Sequence, residues 1–312
     1  MVGLHSKDGG LGMVLKRYFK DESELVFFRS KLEKSVQLLQ RANGLALSMS
    51  DKGYYLAFSG GKDSLALYYV AKFAKVTFES HYSLTTLDPP ELVRYIKSQF
   101  PDVIIDRPDI SFLNLCLKKK ALPLRRMRFC CAVLKEQGGA GRVVLTGVRR
   151  QESSNRKKRS EAEIVSTCKK RRFSGNIDQF DQFSRTEEYD PIHCIKGKDK
   201  IVINPIIDWS ENDVWYFLNE VVGAVHCELY DKGWKRIGCM FCPMARKREL
   251  LRVIDVYPKY TAAFLRMIEK LRLGGYLSDY QGMTSEDILQ WWVSKKPIKK
   301  WYAENKLQLH LF

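Results

Sequence analysis

The sequence predicts an α/β fold, a parallel twisted sheet with helices on both faces, extended by helical regions at either end. Three observations carry that expectation. Short apolar runs rich in strand-forming residues alternate with stretches whose apolar residues recur at helical spacing. A glycine pair, Gly60-Gly61, stands between the first such run and the first buried helical stretch, in the order strand, turn, helix. Finally, 312 residues with 45% hydrophobic content can bury a sizeable core, in about two domains by length.

The elements follow in order. From Asp21 to about Leu47, the residues Leu25, Phe28, Leu32, Val36 and Leu39 form one apolar helix face, while the glycine-rich and then basic residues 1–21 carry no assigned structure. Tyr54-Tyr55-Leu56-Ala57-Phe58 reads as the first strand and residues 65–71 as a buried helix. Residues 75–80, with Val76 and Phe78, form a second strand, and Pro89-Pro90 open the helix of Leu92, Tyr95 and Ile96. Val103-Ile104-Ile105 is a third strand, residues 111–121 are helical, and residues 142–146 and Ile201-Val202-Ile203 are further strands. Ser210 with Asp213 caps a helix bearing Val214, Trp215, Phe217 and Leu218. Helices over 246–256 and 259–273, and one capped by Thr284 with Asp287, complete the chain.

Charge narrows the partners. With 53 basic against 36 acidic residues, the formal charge is +17, which favours polyanions such as nucleic acid, although such an excess also aids solubility. No apolar run reaches 18 residues and the start lacks a signal-peptide pattern, so a cytoplasmic protein without a membrane partner is expected. Residues 149–173 hold ten basic and three acidic side chains with almost no apolar periodicity. They read as a mobile loop that either grips a polyanion through Arg156, Lys157, Lys158, Arg159, Lys169, Lys170, Arg171 and Arg172 or is simply solvated. Residues 174–199 read as irregular.

The chemistry centres on residues 59–64, Ser-Gly-Gly-Lys-Asp-Ser. Ahead of a helix, Gly60 and Gly61 let the backbone approach an anion, and the first helical amides carry the positive end of its dipole. Lys62 adds a full charge, Ser59 and Ser64 add hydroxyls, and Asp63 either holds a magnesium ion or favours the helix N-terminus. A second such stretch begins at Gly147, where Arg149 and Arg150 offer guanidinium forks suited to phosphate or sulfate. The domain organisation is then a helical extension over 1–50, a nucleotide-binding α/β domain over 51–245 containing the basic loop, and a helical region over 246–312.

Eight cysteines without secretion signals argue for reduced thiols or for metal. Cys130-Cys131 and the C-x-x-C pair Cys239 and Cys242 together supply four thiolates. Adjacent cysteines point in different directions, which suits a four-iron four-sulfur cube better than a zinc ion; zinc and unliganded thiols stay open. Cys116 reads as core, Cys168 as a candidate reactive thiol among lysines, and Cys194, Cys227, His193 and His226 as structural or silent.

Residues 59–64 resemble the PP-loop of ATP pyrophosphatases, which hold the pyrophosphate of ATP and transfer AMP. That loop, Thr146-Gly147-Val148-Arg149-Arg150-Gln151-Glu152-Ser153, Asn204-Pro205-Ile206-Ile207-Asp208-Trp209 with Asp213-Val214-Trp215, and the four cysteines together resemble the phosphoadenosine phosphosulfate reductase family. The resemblance implies an adenine nucleotide alpha hydrolase-like fold, a 4Fe-4S cluster on Cys130, Cys131, Cys239 and Cys242, and Arg149, Arg150 and Arg156 as contacts to phosphate or sulfate. Two departures matter. Reductases of the family usually lack the Lys-Asp-Ser ending, and they carry a catalytic cysteine near the C-terminus, whereas here no cysteine follows Cys242. Both departures resemble the Dnd-type sulfur-transfer enzymes of DNA phosphorothioation. That implies ATP with Mg2+, a nucleic-acid acceptor and a cysteine desulfurase as sulfur donor. A reductase of adenylyl sulfate compounds and a non-catalytic DNA-binding module are the alternatives.

Overall fold

The computed structural model describes residues 18–19, 21–166, 172–184, 199–277 and 282–309. Its strands are β1 (Tyr54–Ala57), β2 (Phe78–Ser83), β3 (Ile104–Asp106), β4 (Val143–Leu145), β5 (Ala162–Val165), β6 (Phe173–Gly175) and β7 (Lys200–Ile203). The helices are α1 (Glu22–Met49), α2 (Lys62–Ala74), α3 (Pro90–Gln99), α4 (Phe112–Lys119), α5 (Phe129–Leu134), α6 (Ile177–Ser184), α7 (Glu211–Tyr216), α8 (Lys247–Val256), α9 (Pro258–Leu273), α10 (Ser285–Ser294) and α11 (Ile298–Leu309). The strands form one sheet in the order β3-β2-β1-β4-β7-β5-β6. The first five of these run parallel, while β5 is antiparallel to both β7 and β6.

The order of this sheet positions the site. From β1 the chain steps outward to β2 and β3, then returns to β4 on the other flank, so the direction of winding reverses between β1 and β4. Leu56 pairs with Leu145, which brings the C-terminal ends of the two strands side by side. Open α/β sheets bind ligands in the crevice beyond such a reversal. Residues 59–64 leave β1 there, and residues 146–149 leave β4.

Contacts group the described residues into two compact units. One takes Met1–Ser83, Glu91–Asp106 and Gln137–Ile237, and holds the sheet. In it, Asp21 caps α1 by accepting from the amides of Ser23 and Glu24. Phe28 of α1 meets Trp209 and Tyr216 edge to face, with ring centres 5.4 and 5.3 Å apart. Asn204, fully buried, accepts from the Thr146 hydroxyl and donates to the Ser160 carbonyl at 2.7 Å, tying the ends of β4 and β7 to the start of β5. The second unit takes Leu84–Pro90, Arg107–Glu136 and Gly238–Phe312. It is helical, and Phe264 of α9 is its centre, stacked on Phe241 at 4.3 Å and near Trp292 at 5.4 Å. Ser210 and Thr284 form the expected capping boxes with Asp213 and Asp287.

Three expectations are corrected. The second strand runs over Phe78–Ser83, not 75–80, because Lys75 ends α2 in the left-handed region at φ 54° and the chain needs two more residues to turn. Residues 149–173 are not one unburied loop: Ala162 and Ile164 are buried in β5, paired on both sides, and Phe173 of β6 packs on Phe180 of α6. Residues 174–199, read as irregular, include α6, whose start is capped by Asn176 accepting from the Gln179 amide at 2.8 Å. Counting lysines and arginines hid a short apolar alternation.

Candidate functional site

The loop of residues 59–64 is braced from within. Ser64 donates to the Gly61 carbonyl at 2.9 Å and accepts from the Ser59 amide at 3.0 Å, with the Ser59 hydroxyl also 3.0 Å away. Ser64 therefore staples the loop, its proton already given to the backbone, while Ser59 lines the cavity. Gly60 is needed twice over. It sits at φ +69°, and a Cβ there would lie 2.6 Å from Leu92 and 2.8 Å from Ile96 of α3. Gly147 admits the close approach of the β4 loop: a Cβ on it would lie 2.8 Å from the Asp63 carbonyl oxygen.

Between these loops lies a cavity of about 180 Å³, lined among others by Ser59, Gly61, Lys62, Asp63, Gly147, Glu152, Arg156, Tyr230 and Arg236. That is below the roughly 300 Å³ at which ligand clefts begin, so in this conformation it suits phosphate groups rather than a whole nucleotide. Lys62 is buried at 4% exposure, with its amine 3.4 Å from both the Lys235 carbonyl and Glu211. The first amide of α2 is not open, because Lys62 N–H donates to the Tyr230 hydroxyl at 2.8 Å. Burial pushes the Tyr230 phenol up from its ordinary pKa, so it stays protonated at neutral pH.

The arginines divide differently from expectation. Arg149, 3% exposed, gives its Nε–H to Asp63 at 2.6 Å and its Nη1 to the Trp209 carbonyl at 3.3 Å. It is a buried clamp on the start of α2. Arg150 turns away to pair with Asp208 and to donate to the Arg159 carbonyl. Among the described residues lining the cavity, Arg156 and Arg236 supply the guanidinium groups, and both face Glu152. Lys157 and Lys158 are exposed on a 3-10 turn, Arg159 pairs with Glu163, and Arg172 donates to the Ser166 carbonyl at 3.0 Å. Lys169, Lys170, Arg171, Cys168, His193 and Cys194 lie outside the described residues. Sequence reasoning missed Tyr230, Arg236 and Glu152. Glu152 stood inside a quoted stretch, whereas Tyr230 and Arg236 lie in residues 223–237, which show neither periodicity nor motif.

Four of the second unit's five cysteines stand in pairs on two segments. Cys130 and Cys131 open α5, and the C-x-x-C segment is held by the Met240 amide donating to the Leu87 carbonyl at 2.8 Å and by Phe241 on Phe264. A hydrogen bond from the Cys130 thiol, with Lys135 and Arg128 nearby, draws the Cys131 thiol down to about 6, while that same bond and burial push Cys130 up. Burial and then Cys239 raise Cys242, which also feels Cys131. Lys135, raised overall despite burial, feels Cys239, Asp88 and Cys131. The four thiols thus share one neighbourhood. Among the described residues, however, no three Cys, His, Asp or Glu side chains converge as they would around a single metal ion. Four thiols on two segments of one unit are the donor set that an iron-sulfur cluster or a zinc ion would need. Cys116 is core, as expected, with burial pushing its thiol up to about 12. Among the described residues, no helix is long and apolar enough to cross a membrane.

An uncharacterized protein of Methanocaldococcus jannaschii is 28% identical over 299 residues, covering 89% of this chain and 64% of the relative. An uncharacterized 37.8 kDa protein of Escherichia phage 186 is 28% identical over 163 residues, covering 48% of this chain and 40% of the relative. The chain thus spans 64% or less of the length of these curated relatives. Among solved structures, phosphoadenylyl-sulfate reductase from Candida auris is similar with TM-score 0.41 and 18% identity, over 69% of this chain and 95% of that one. FMN adenylyltransferase from Candida glabrata in complex with ATP is similar with TM-score 0.45 and 12% identity, over 72% of this chain and 67% of that one. The profile of the phosphoadenosine phosphosulfate reductase domain matches residues 53–245, more than half of the chain, and the chain belongs to that family.

Proposed function

We propose that the protein is an ATP-dependent sulfur-transfer enzyme that adenylylates a non-bridging phosphate oxygen of a nucleic-acid backbone, as in DNA phosphorothioation. The observation that carries this reading is the cavity beyond β1 and β4, where a glycine loop, a buried lysine and two arginines converge in a chain of this family. Ser59, Gly60, Gly61 and Lys62 hold the pyrophosphate of ATP, with Mg2+ sharing its charge, and Arg156 and Arg236 face the reacting phosphorus. The acceptor oxygen attacks the α-phosphorus and pyrophosphate leaves. The terminal sulfur of a persulfide supplied by a cysteine desulfurase then attacks the acceptor phosphorus, and AMP leaves with the oxygen. A second thiol frees the sulfur on phosphorus by forming a disulfide with the donor cysteine. Asp63 and Arg149 are positioning residues that fix the first turn of α2.

Cys130, Cys131, Cys239 and Cys242 would hold a 4Fe-4S cluster, which supplies one-electron redox chemistry when bound. The protein would work in the cytoplasm, where its thiols stay reduced. The test is release of AMP and pyrophosphate from ATP, stimulated by DNA and lost in Lys62→Ala. The family itself favours a second reading, reduction of adenylyl sulfate compounds. Thiol-dependent sulfite release from adenylylsulfate without ATP would establish that reading and overturn the first.

A further inference from the structure

We infer that the turn bearing Arg125 and Arg126, with the lysines that end α4, docks the backbone of a single-stranded nucleic acid. The inference rests on the reading above only for the choice of polyanion. Lys118, Lys119, Lys120, Arg125, Arg126 and Arg128 fall within eleven positions that contain no acidic residue, and all six are exposed. Several arginines elsewhere come with carboxylates, Arg142 with Glu79, Arg159 with Glu163 and Arg41 with Asp178 among them. Among the described residues, none of the six has a carboxylate within ion-pair distance. Cations at the end of α4 complement its dipole and Arg128 stands beside the Cys131 thiol, but neither accounts for Arg125 and Arg126.

The turn is built rather than loose. Leu124 and Met127 exchange both backbone hydrogen bonds, at 3.1 and 3.0 Å, which puts Arg125 and Arg126 at the tip. Its base is anchored where the buried Trp292 indole donates to the Pro123 carbonyl at 2.8 Å. Leu124 and Met127, 36% and 45% exposed, flank the arginines, and the exposed ring of Tyr276 lies 4.6 Å from the Lys120 amine. Cations for phosphates, interleaved with apolar and aromatic surface for sugars and bases, are the composition of a single-strand groove. An acidic peptide would use the charges and leave that surface idle.

The test compares the full chain with Lys118→Gln/Lys119→Gln/Arg125→Gln/Arg126→Gln in binding a labelled single-stranded oligonucleotide across a salt series. Four lost phosphate contacts make the slope of log affinity against log salt shallower by about 3, so between about 50 and 200 mM salt the wild type loses roughly 50-fold more affinity than the variant. Equal affinity and slope in both proteins would overturn the proposal, as would binding to polyglutamate in preference to the oligonucleotide. Arg125→Lys/Arg126→Lys keeps the charge and is expected to keep the slope, which separates docking from misfolding. ATP affinity is expected to be unchanged in every variant. A wild-type protein that binds the strand with this salt dependence yet never turns over ATP supports the surface while refuting the adenylylation reading.

Discussion

Replacing Asp63 with alanine separates a clamp from a metal ligand. The Arg149 side chain is 4% exposed and its Nε–H lies 2.6 Å from the Asp63 carboxylate, itself 25% exposed. Removing one partner of a buried ion pair costs about 3–5 kcal/mol, because a charge is left without compensation. Two neutral acceptors remain to the guanidinium, the Trp209 carbonyl at 3.3 Å and the Gln151 side chain at 3.5 Å. They place the expected cost near the lower limit, at about 3 kcal/mol. For a unit of this size that lowers the melting temperature by roughly 6–12 °C, read in the absence of nucleotide and magnesium. Arg149→Gln measured alone and with Asp63→Ala closes a double-mutant cycle, and a coupling of about 2 kcal/mol or more is expected. If Asp63→Ala melts with the wild type but loses magnesium-dependent ATP turnover, Asp63 is a metal ligand and the clamp reasoning fails.

Other residues give sharper local tests. Tyr230→Phe frees the Lys62 amide that a phosphate would need, and with one hydrogen bond worth about 1 kcal/mol, ATP affinity is expected to rise roughly fivefold by calorimetry; a fall would make the hydroxyl part of the binding site. Gly60→Ala forces a non-glycine residue to φ +69° and a methyl against Leu92 and Ile96, so a loss of about 2–4 kcal/mol in urea unfolding and of ATP binding is expected, and a wild-type midpoint would contradict the loop geometry. Cys116, raised by burial to about 12, stays protonated when folded while the unfolded thiol ionises near about 8.5. Its contribution is full below that lower value and is lost as pH climbs toward about 12. Cys116→Ala should flatten the decline of the guanidinium midpoint above about pH 8.5, and an unchanged slope would refute the assignment.

What could be read in advance was local. Residues 59–64 announce themselves because strand, glycine turn and helix are contiguous, and Ser210 with Asp213 or Thr284 with Asp287 cap helices through partners three positions away. What escaped depends on distant partners. The Tyr230 hydroxyl meets the Lys62 amide across 168 positions, and Arg149 and Arg150 look alike until Asp63 takes one and Asp208 the other. β5 escaped for a different reason: Ala162 and Ile164 stand among Glu161 and Glu163, which the fold buries with them, and beside a run of cations, so charge outweighed period. The second strand carries His81 and Glu79 in place of an apolar run, and pairing with β1 and β3 rather than propensity makes it a strand.

The most direct measurement is a crystal structure with a non-hydrolysable ATP analogue and magnesium, paired with titration of the same ligand into Lys62→Ala. The account predicts the pyrophosphate moiety on the amides of residues 59–62, Tyr230 displaced from the Lys62 amide, and affinity lost in the variant. A triphosphate bound elsewhere, or an analogue that binds Lys62→Ala as tightly as the wild type, would contradict it.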